Sequence, residues 1–516
     1  MKSRWTKHGL FGYKRYYMEK RRCVFPDMSI TLERKNSMKK VLGIAFCTSL
    51  VWTVCAQVVT PAAKAQEAKP ATAAPEVKPA AGGLDWDGGA DLRVRQEISD
   101  NLPKKGGVTA QNDNYVRIRP RVWGQVKNED FKLYLRLADE FREYSHPRYS
   151  RNYQTPDEVL VDNLYLDFYN LLDGKLDLRI GRQDFYGAAG PTYGAGRVIC
   201  DGTPFDGSRT IFMDAIKATV KFDEKNTLDL LAIYNNPETE MSWGHPYKTD
   251  GSEYKERPLT SIDPRSKDLS EYGGGLYFRS KEVDEIPFEL YYFYKRETKA
   301  QMPGGVRLPG RIVHTWGARV MPKLTDTLSA ELEGAVQAGE KDGGASTAGY
   351  MGYAGLTYKP LVDMTSKPFF TGSLYYLSGD KDRDAKGDND TAWDPLWARW
   401  PQFSEMYVYS FMYGVGYWSN LLYPSLETGV GLAPGHKVRA SAGPMYVAVE
   451  DDLGGGNGDL LGWLGVVRYD FPLFKNIFGK RGDLSGHLTA EVLDPGDYYT
   501  SDKIAYFLRW EVIARF

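Results

Sequence analysis

The thirteen residues IAYFLRWEVIARF (504–516) alternate between two unlike faces. Ile504, Tyr506, Leu508, Trp510, Val512, Ala514 and Phe516 share one face, and Ala505, Phe507, Arg509, Glu511, Ile513 and Arg515 share the other. A period of two describes a strand whose faces meet different surroundings. Alone, the segment fits the final strand of a soluble sandwich as well as a membrane strand with one face in lipid. The same alternation recurs from Gly88 onward, in ADLRVRQEI (90–98), YVRIRPRVWGQV (115–126), FKLYLRLA (131–138), KLDLRIGRQ (175–183), TLDLLAIY (227–234) and PFELYYFYK (287–295). About eighteen such segments can be marked, with almost nothing of helical period between them.

The connectors separate the two readings. They alternate long and short: NLPKKGGVTAQND, FREYSHPRYSRNYQTPDE and DFYGAAGPTYGAGRVICDGTPFDG against NED, LDGK, DEKN, KEVDE and TDT. A meander places successive turns at opposite ends of the sheet, so one end carries long loops and the other tight turns. Outer-membrane barrels have this asymmetry, whereas Greek-key sandwiches have no reason to keep it. The fold expected is an all-β, antiparallel transmembrane β-barrel of about 18 strands, with long extracellular loops and short periplasmic turns. The last strand must then pair with the first, because a closed sheet has no free edge. Phe516 joins the lipid-facing surface, and a terminal aromatic of this kind resembles the assembly signal that barrel assembly machinery reads in outer-membrane proteins.

Alternation also assigns the lumen. In the second strand Val116, Ile118, Pro120 and Val122 suit lipid, which turns Arg117, Arg119 and Arg121 inward, since a midplane arginine in lipid costs roughly 2–4 kcal/mol. The same test turns Asp91, Arg93, Arg95 and Glu97 inward on the first strand, Lys132 and Arg136 on the third, Arg179 on the fifth and Lys217 on the sixth. Arg509, Glu511 and Arg515 join them across the seam, with Arg311, Arg319, Lys437 and Arg439 on later strands. Cations are therefore massed on the last strand and the first three. They can stiffen the wall by pairing with Asp91, Glu97, Asp167, Glu331 and Glu333, or they can select anions, because guanidinium groups bind carboxylates with two parallel hydrogen bonds. As a group, three stacked arginines on one strand point to the second role, in a passive channel with no covalent step.

Composition narrows the classes further. The 516 residues include 53 Gly, 35 Tyr and 12 Trp, a mixture suited to strands and turns. No apolar run reaches the roughly 18 residues of a spanning helix. Met38-Lys39-Lys40 followed by VLGIAFCTSLVW reads as a signal peptide over 38–65, with small-residue cleavage sites at Ala56 and Ala65, and 1–37 reads as an upstream extension preceding the true start. Residues 66–85 form a Pro/Ala-rich linker, and 86–516 form the barrel. Cleavage after Ala65 leaves 53 basic against 64 acidic residues, a net charge of −11, which argues against a nucleic-acid partner. Only Cys200 of the four cysteines survives processing, so no internal disulfide is expected.

NYVRIRPRV (114–122), LYLDFYNLLDGKLDLRIGRQDFYG (164–187), TPFDGSRTIFMDAIKA (203–218) and the terminal strand together resemble the alginate-export family of outer-membrane porins. The resemblance implies a monomeric barrel whose electropositive pore passes a polyuronate, with outer-membrane lipid and an anionic polysaccharide or oligosaccharide as partners. Arg117, Arg119, Arg121, Arg179 and Arg182 match motif positions, and pore function carries over to those the alternation turns inward, Arg182 not being among them. A general or other substrate-specific porin, and a surface binding or structural barrel, are the alternative readings. An enzyme is not expected: no histidine lies in a hydrolase motif, and no cofactor is implied. Asp380, Asp382 and Asp384 have calcium-loop spacing, but Ala385 and Thr391 replace the glycine and glutamate such a loop requires, leaving at most weak divalent binding.

Overall fold

The computed structural model describes residues 83–103, 113–145, 159–187, 190–200, 212–235, 242–243, 270–301, 307–360, 366–381, 389–398, 400–410, 418–451, 454–478 and 481–516. The expected upstream extension, the signal peptide and all but the end of the linker lie outside these residues.

Eighteen strands form one ring. They are β1 (Asp85–Asp100), β2 (Asp113–Lys127), β3 (Phe131–Ala138, resumed at Phe141–Tyr144), β4 (Val159–Asn170), β5 (Leu176–Gln183) and β6 (Met213–Lys221). The ring continues through β7 (Asn226–Asn235), β8 (Glu271–Ser280), β9 (Phe288–Glu297), β10 (Arg311–Val320), β11 (Leu328–Lys341) and β12 (Tyr350–Tyr358). It ends with β13 (Phe369–Leu377), β14 (Leu421–Ala433), β15 (His436–Tyr446), β16 (Leu460–Phe478), β17 (Arg481–Pro495) and β18 (Ala505–Arg515). Each strand pairs antiparallel with its sequence neighbours, and β18 pairs with β1 from Tyr506 opposite Asp100 to Arg515 opposite Asp91. The N–H of Phe516 donates to the carbonyl of Ala90 at 2.8 Å, extending the seam by one residue. Closure pairs the backbone internally, which a wall in lipid requires.

The tight-turn end is built by local side-chain bonds. Asn128 Oδ1 accepts from the N–H groups of Asp130 and Phe131, and Asp223 Oδ1 accepts from those of Lys225 and Asn226. Thr325 Oγ1 does the same for Thr327 and Leu328. Each side chain replaces a backbone turn, which is why such short connectors suffice. The Asn226 side chain and the Lys225 N–H hold the Asp223 carboxyl below its ordinary value.

The outer surface is apolar. Leu135, Ile216, Leu276, Leu332, Leu374 and Leu508 all stand exposed on the outside of the ring. The terminal strand follows its alternation: Leu508, Trp510 and Phe516 are exposed outward, while Phe507, Arg509 and Glu511 are buried inward. A closed barrel with this exterior is a membrane-spanning wall, and the sandwich reading is excluded by the β18–β1 pairing.

Two long connectors fold into the ring. The segment after β5 reaches inward wall residues: Tyr193 donates to Asp229 on β7 at 2.8 Å, and the Gly194 N–H donates to the Tyr277 hydroxyl on β8 at 2.9 Å. The segment between β13 and β14 does likewise. Gln337 on β11 bonds both the N–H and the carbonyl of Asp394, and Lys295 on β9 donates to the Leu396 carbonyl. This second segment carries a short helix, α1 (Glu405–Ser410), capped by the Ser404 hydroxyl, which accepts from the Tyr407 N–H. The two segments meet through a short parallel pairing, Trp397 beside Ile199 and Ala398 beside Cys200. Around them Trp393, Trp397 and Trp418 are almost fully buried, so the apolar core lies inside the ring rather than beneath it.

Candidate functional site

The inner wall carries two kinds of cation. At the seam, alternation turns Arg93, Arg95, Arg117, Arg119 and Arg509 inward, and all five are buried. Glu97 lies at the centre of this group. It receives Arg95 at 2.9 Å, Arg509 at 2.5 Å and Arg117 at 3.4 Å. Glu140 receives Arg93 at 2.7 Å and Arg117 at 2.6 Å. Glu140 reaches the arginines where β3 is interrupted, opposite Pro120 of β2, whose ring offers the ladder no N–H. Arg119 is fully buried opposite Arg93. Arg121, nearer the tight-turn end, holds Asp91 at 2.9 Å.

The seam also anchors the inward helix. Arg509 Nη1 donates to Glu405 at 2.7 Å, and Glu491 on β17 accepts from the Ser404 hydroxyl and from the N–H groups of Glu405 and Met406. These arginines therefore weld the first strands to the last and fasten α1 against them. They face the lumen, as alternation requires, but the carboxylates and the inward helix seal them from it.

The other expected pore residues are placed as follows. Lys132 and Arg179 share Asp167, at 3.0 and 2.6 Å. Arg136 holds Asp162 at 2.5 Å and Asp184 at 3.2 Å. Arg515 is exposed at the tight-turn rim and donates to Ser485 at 3.1 Å. Lys217 is half-buried on β6, among Asp229, Arg179 and Arg279. Lys437 and Arg439 on β15 are exposed inward. Among the described residues, Lys217, Lys437 and Arg439 form no ion pair. Lys437 and Arg439 lie near the tight turn that joins β14 to β15, and Lys217 lies beside Asp229, the residue to which Tyr193 of the inward segment attaches.

Arg182 stands on the outward register, opposite Leu164 and Asp214, and forms two hydrogen bonds to the Asp214 carboxylate. It is buried there against Phe212 rather than lining the pore. The preceding Gly181 has φ +123, and a Cβ there would meet the Leu164 carbonyl oxygen at 2.3 Å, so a glycine is needed in this stretch of the motif. Asp380 is buried and accepts from Thr391, while Asp382 and Asp384 lie outside the described residues. Among the described residues no cluster is arranged to hold a metal ion.

Several residues that organise the site escape sequence reading. Arg197 lies in a connector that reads as a long outward loop, Glu140 just before another, and Glu405 in a stretch to which the alternation assigns no strand. Arg197 crosses the lumen to Glu333 at 2.6 Å and to Glu331, both on β11, and stacks on the Tyr353 ring at 4.1 Å. Burial opposes its charge, but Glu333 and Glu331 outweigh burial and hold the guanidinium above its ordinary value. One signal was present in the sequence: a buried column of arginines needs carboxylates close by, and Asp139-Glu140 follows β3 directly.

No family model matches the chain, and no curated protein matches it. Its fold is similar to solved structures from Pseudomonas aeruginosa. OpdK crystallised with vanillate superposes with a TM-score of 0.50 at 10% identity, covering 83% of this chain and 98% of that one. A second structure of the outer membrane protein OpdK gives 0.48 at 9% identity, with coverages of 83% and 98%. OccK2 (OpdF) gives 0.47 at 13% identity, with coverages of 84% and 99%. The likeness is one of fold. The closed ring and its apolar exterior make the chain an outer-membrane β-barrel.

Proposed function

We propose that this barrel is a passive channel for small anionic solutes, a substrate-specific porin rather than a polysaccharide exporter. The observation that carries this reading is a set of lumenal cations that form no ion pair among the described residues: Lys437 and Arg439, exposed inward, and Lys217, half-buried beside Asp229. A ring of about 18 strands leaves an aqueous interior, so groups on its inner wall act on whatever diffuses through. Unpaired lumenal cations raise the local anion concentration, and weak, separated sites allow release.

The inward segments favour small solutes over a polymer. The inward segments, packed around Trp393, Trp397 and Trp418, fill part of the lumen, which favours a small carboxylate over a long polymer chain. OpdK was crystallised with vanillate, a small aromatic carboxylate, and that pairing supports the same solute class here. One chain closes the ring alone, so a monomer suffices for a pore.

Planar-bilayer recording in a salt gradient tests the reading, together with liposome swelling in small mono- and dicarboxylates and in oligouronates. A reversal potential on the anion side and faster entry of the small carboxylates are expected. Cation preference would overturn the proposal, and faster passage of oligouronates would restore the exporter.

A further inference from the structure

We infer that Arg197 is a positioning residue that fixes the size limit of the pore, an inference that rests on the channel reading above. Arg197 belongs to the segment that leaves β5, and its carboxylates stand on β11, six strands further round the ring. The segment is held to the wall at successive points, Tyr193 to Asp229, Gly194 to Tyr277, and Arg197 to Glu333 and Glu331. Of these three attachments the last lies farthest along the described segment, and it is the ion pair.

The same attachment lies next to the point where the first segment meets the second, which has its own anchors on the wall at Gln337, Lys295, Glu491 and Arg509. Directly after Arg197, the Val198 carbonyl accepts from the Trp397 N–H at 3.2 Å, and the parallel pairing with Trp397 and Ala398 begins at Ile199. A strut that holds Arg197 therefore fixes the first segment against the second at their junction across the opening. The planar guanidinium suits a strut of this kind, because Nε reaches Glu333 while Nη2 reaches Glu331, and the ring of Tyr353 supports the guanidinium plane. Glu331 is shared with Arg319 of the wall at 2.9 Å, so the strut continues into the barrel. The Arg197 side chain is only 9% exposed, which leaves little of it for a passing solute to touch. It positions the constriction; it does not bind the cargo.

The test compares Arg197→Gln, Glu333→Gln, the charge-balanced double variant Arg197→Gln/Glu333→Gln, and Arg197→Lys. Heat-shifted gel mobility first checks that each barrel is closed. Single-channel conductance and liposome swelling in neutral sugars of graded size are then measured. Conductance is expected to rise about two-fold in Arg197→Gln as the opening widens, with entry of larger sugars. The double variant should match the single ones rather than add to them, because both remove one interaction. Arg197→Lys should rise less, since an ammonium keeps the charge without the fork. In the double variant the reversal potential should stay where it is. Unchanged conductance and size limit in closed Arg197→Gln and double-variant barrels would overturn the inference. An altered reversal potential in the double variant with an unchanged size limit would make Arg197 a solute contact instead. Should Arg197→Gln not close, Arg197→Lys decides: a raised size limit supports the strut and an unchanged one removes it. Neutral sugars report size whatever the charge preference, so failure here is distinguishable from failure of the anion-channel reading.

Discussion

Between β17 and β3, Glu97 alone receives Arg95, Arg117 and Arg509, and Glu140 receives Arg93 and Arg117. On β6 and β15, Lys217, Lys437 and Arg439 form no ion pair among the described residues. Both groups face inward, and both satisfy the rule that keeps cations out of lipid. Burial separates the seam from the exposed Lys437 and Arg439, with Lys217, half-buried beside Asp229, between the two. A guanidinium removed from water must be matched by carboxylates, and once matched it offers no field to the lumen. A cation left in water needs no match and keeps its field, attenuated by salt. The densest column of arginines is thus a fastening, and the sparser cations are the candidates for selectivity.

The largest effect should come from the centre of the seam. Glu97→Ala strands Arg95, Arg117 and Arg509 without their shared acceptor. Breaking a buried pair in this way costs about 3–5 kcal/mol. Urea titration of the folded barrel, followed by heat-shifted mobility, should show a strong loss of stability or no closed barrel at all. A variant as stable as the parent would break the comparison at its strongest point.

Arg117→Gln comes next. It leaves Glu140 with Arg93 and Glu97 with Arg95 and Arg509, so a smaller loss of about 1–3 kcal/mol is expected. Those molecules that do close should keep the reversal potential of the parent. A shift toward cations in closed barrels would return this column to the pore.

Deletion of Phe516 should act on assembly more than on transport. The residue adds one backbone bond pair with Ala90 and an exposed ring at the rim, remote from the inward segments. Less protein in the membrane with unchanged single-channel conductance is expected, as counted by surface yield and bilayer recording. Normal yield would remove its role as an assembly signal.

How far these differences could be read beforehand depends on the range of the physics involved. Alternation is local, so strand number, lumenal faces, closure through β18 and the position of the tight turns were legible from residues such as Leu508, Arg509 and Trp510. The outward setting of Arg182 also follows alternation through Gly181. Burial of the seam was not legible, because it depends on Glu140 at a strand interruption and on Glu405 in a segment 104 residues from its partner Arg509. Nor does local pattern say whether a long connector leaves the ring or folds into it. That is decided by contacts such as Gln337 with Asp394 and Arg197 with Glu333, which pair positions far apart in the chain.

Salt gives a milder separation of the two groups. At about 1 M the Debye length is roughly 3 Å, so the field of water-facing cations should fade. Anion preference should weaken with rising salt while the folded fraction, set by buried pairs, changes little. A barrel that loosened as fast as its selectivity fell would show the seam to be open to solvent.

The most direct measurement is the reversal potential of the triple variant Lys217→Gln/Lys437→Gln/Arg439→Gln in a salt gradient, beside the parent and Arg117→Gln. Glutamine keeps most of the length and a hydrogen-bonding head at positions that form no ion pair among the described residues, so the barrel should close as the parent does. The account predicts that the triple variant loses most of its anion preference while closed Arg117→Gln keeps its own. Full anion preference in the triple variant, with loss in Arg117→Gln, would contradict it.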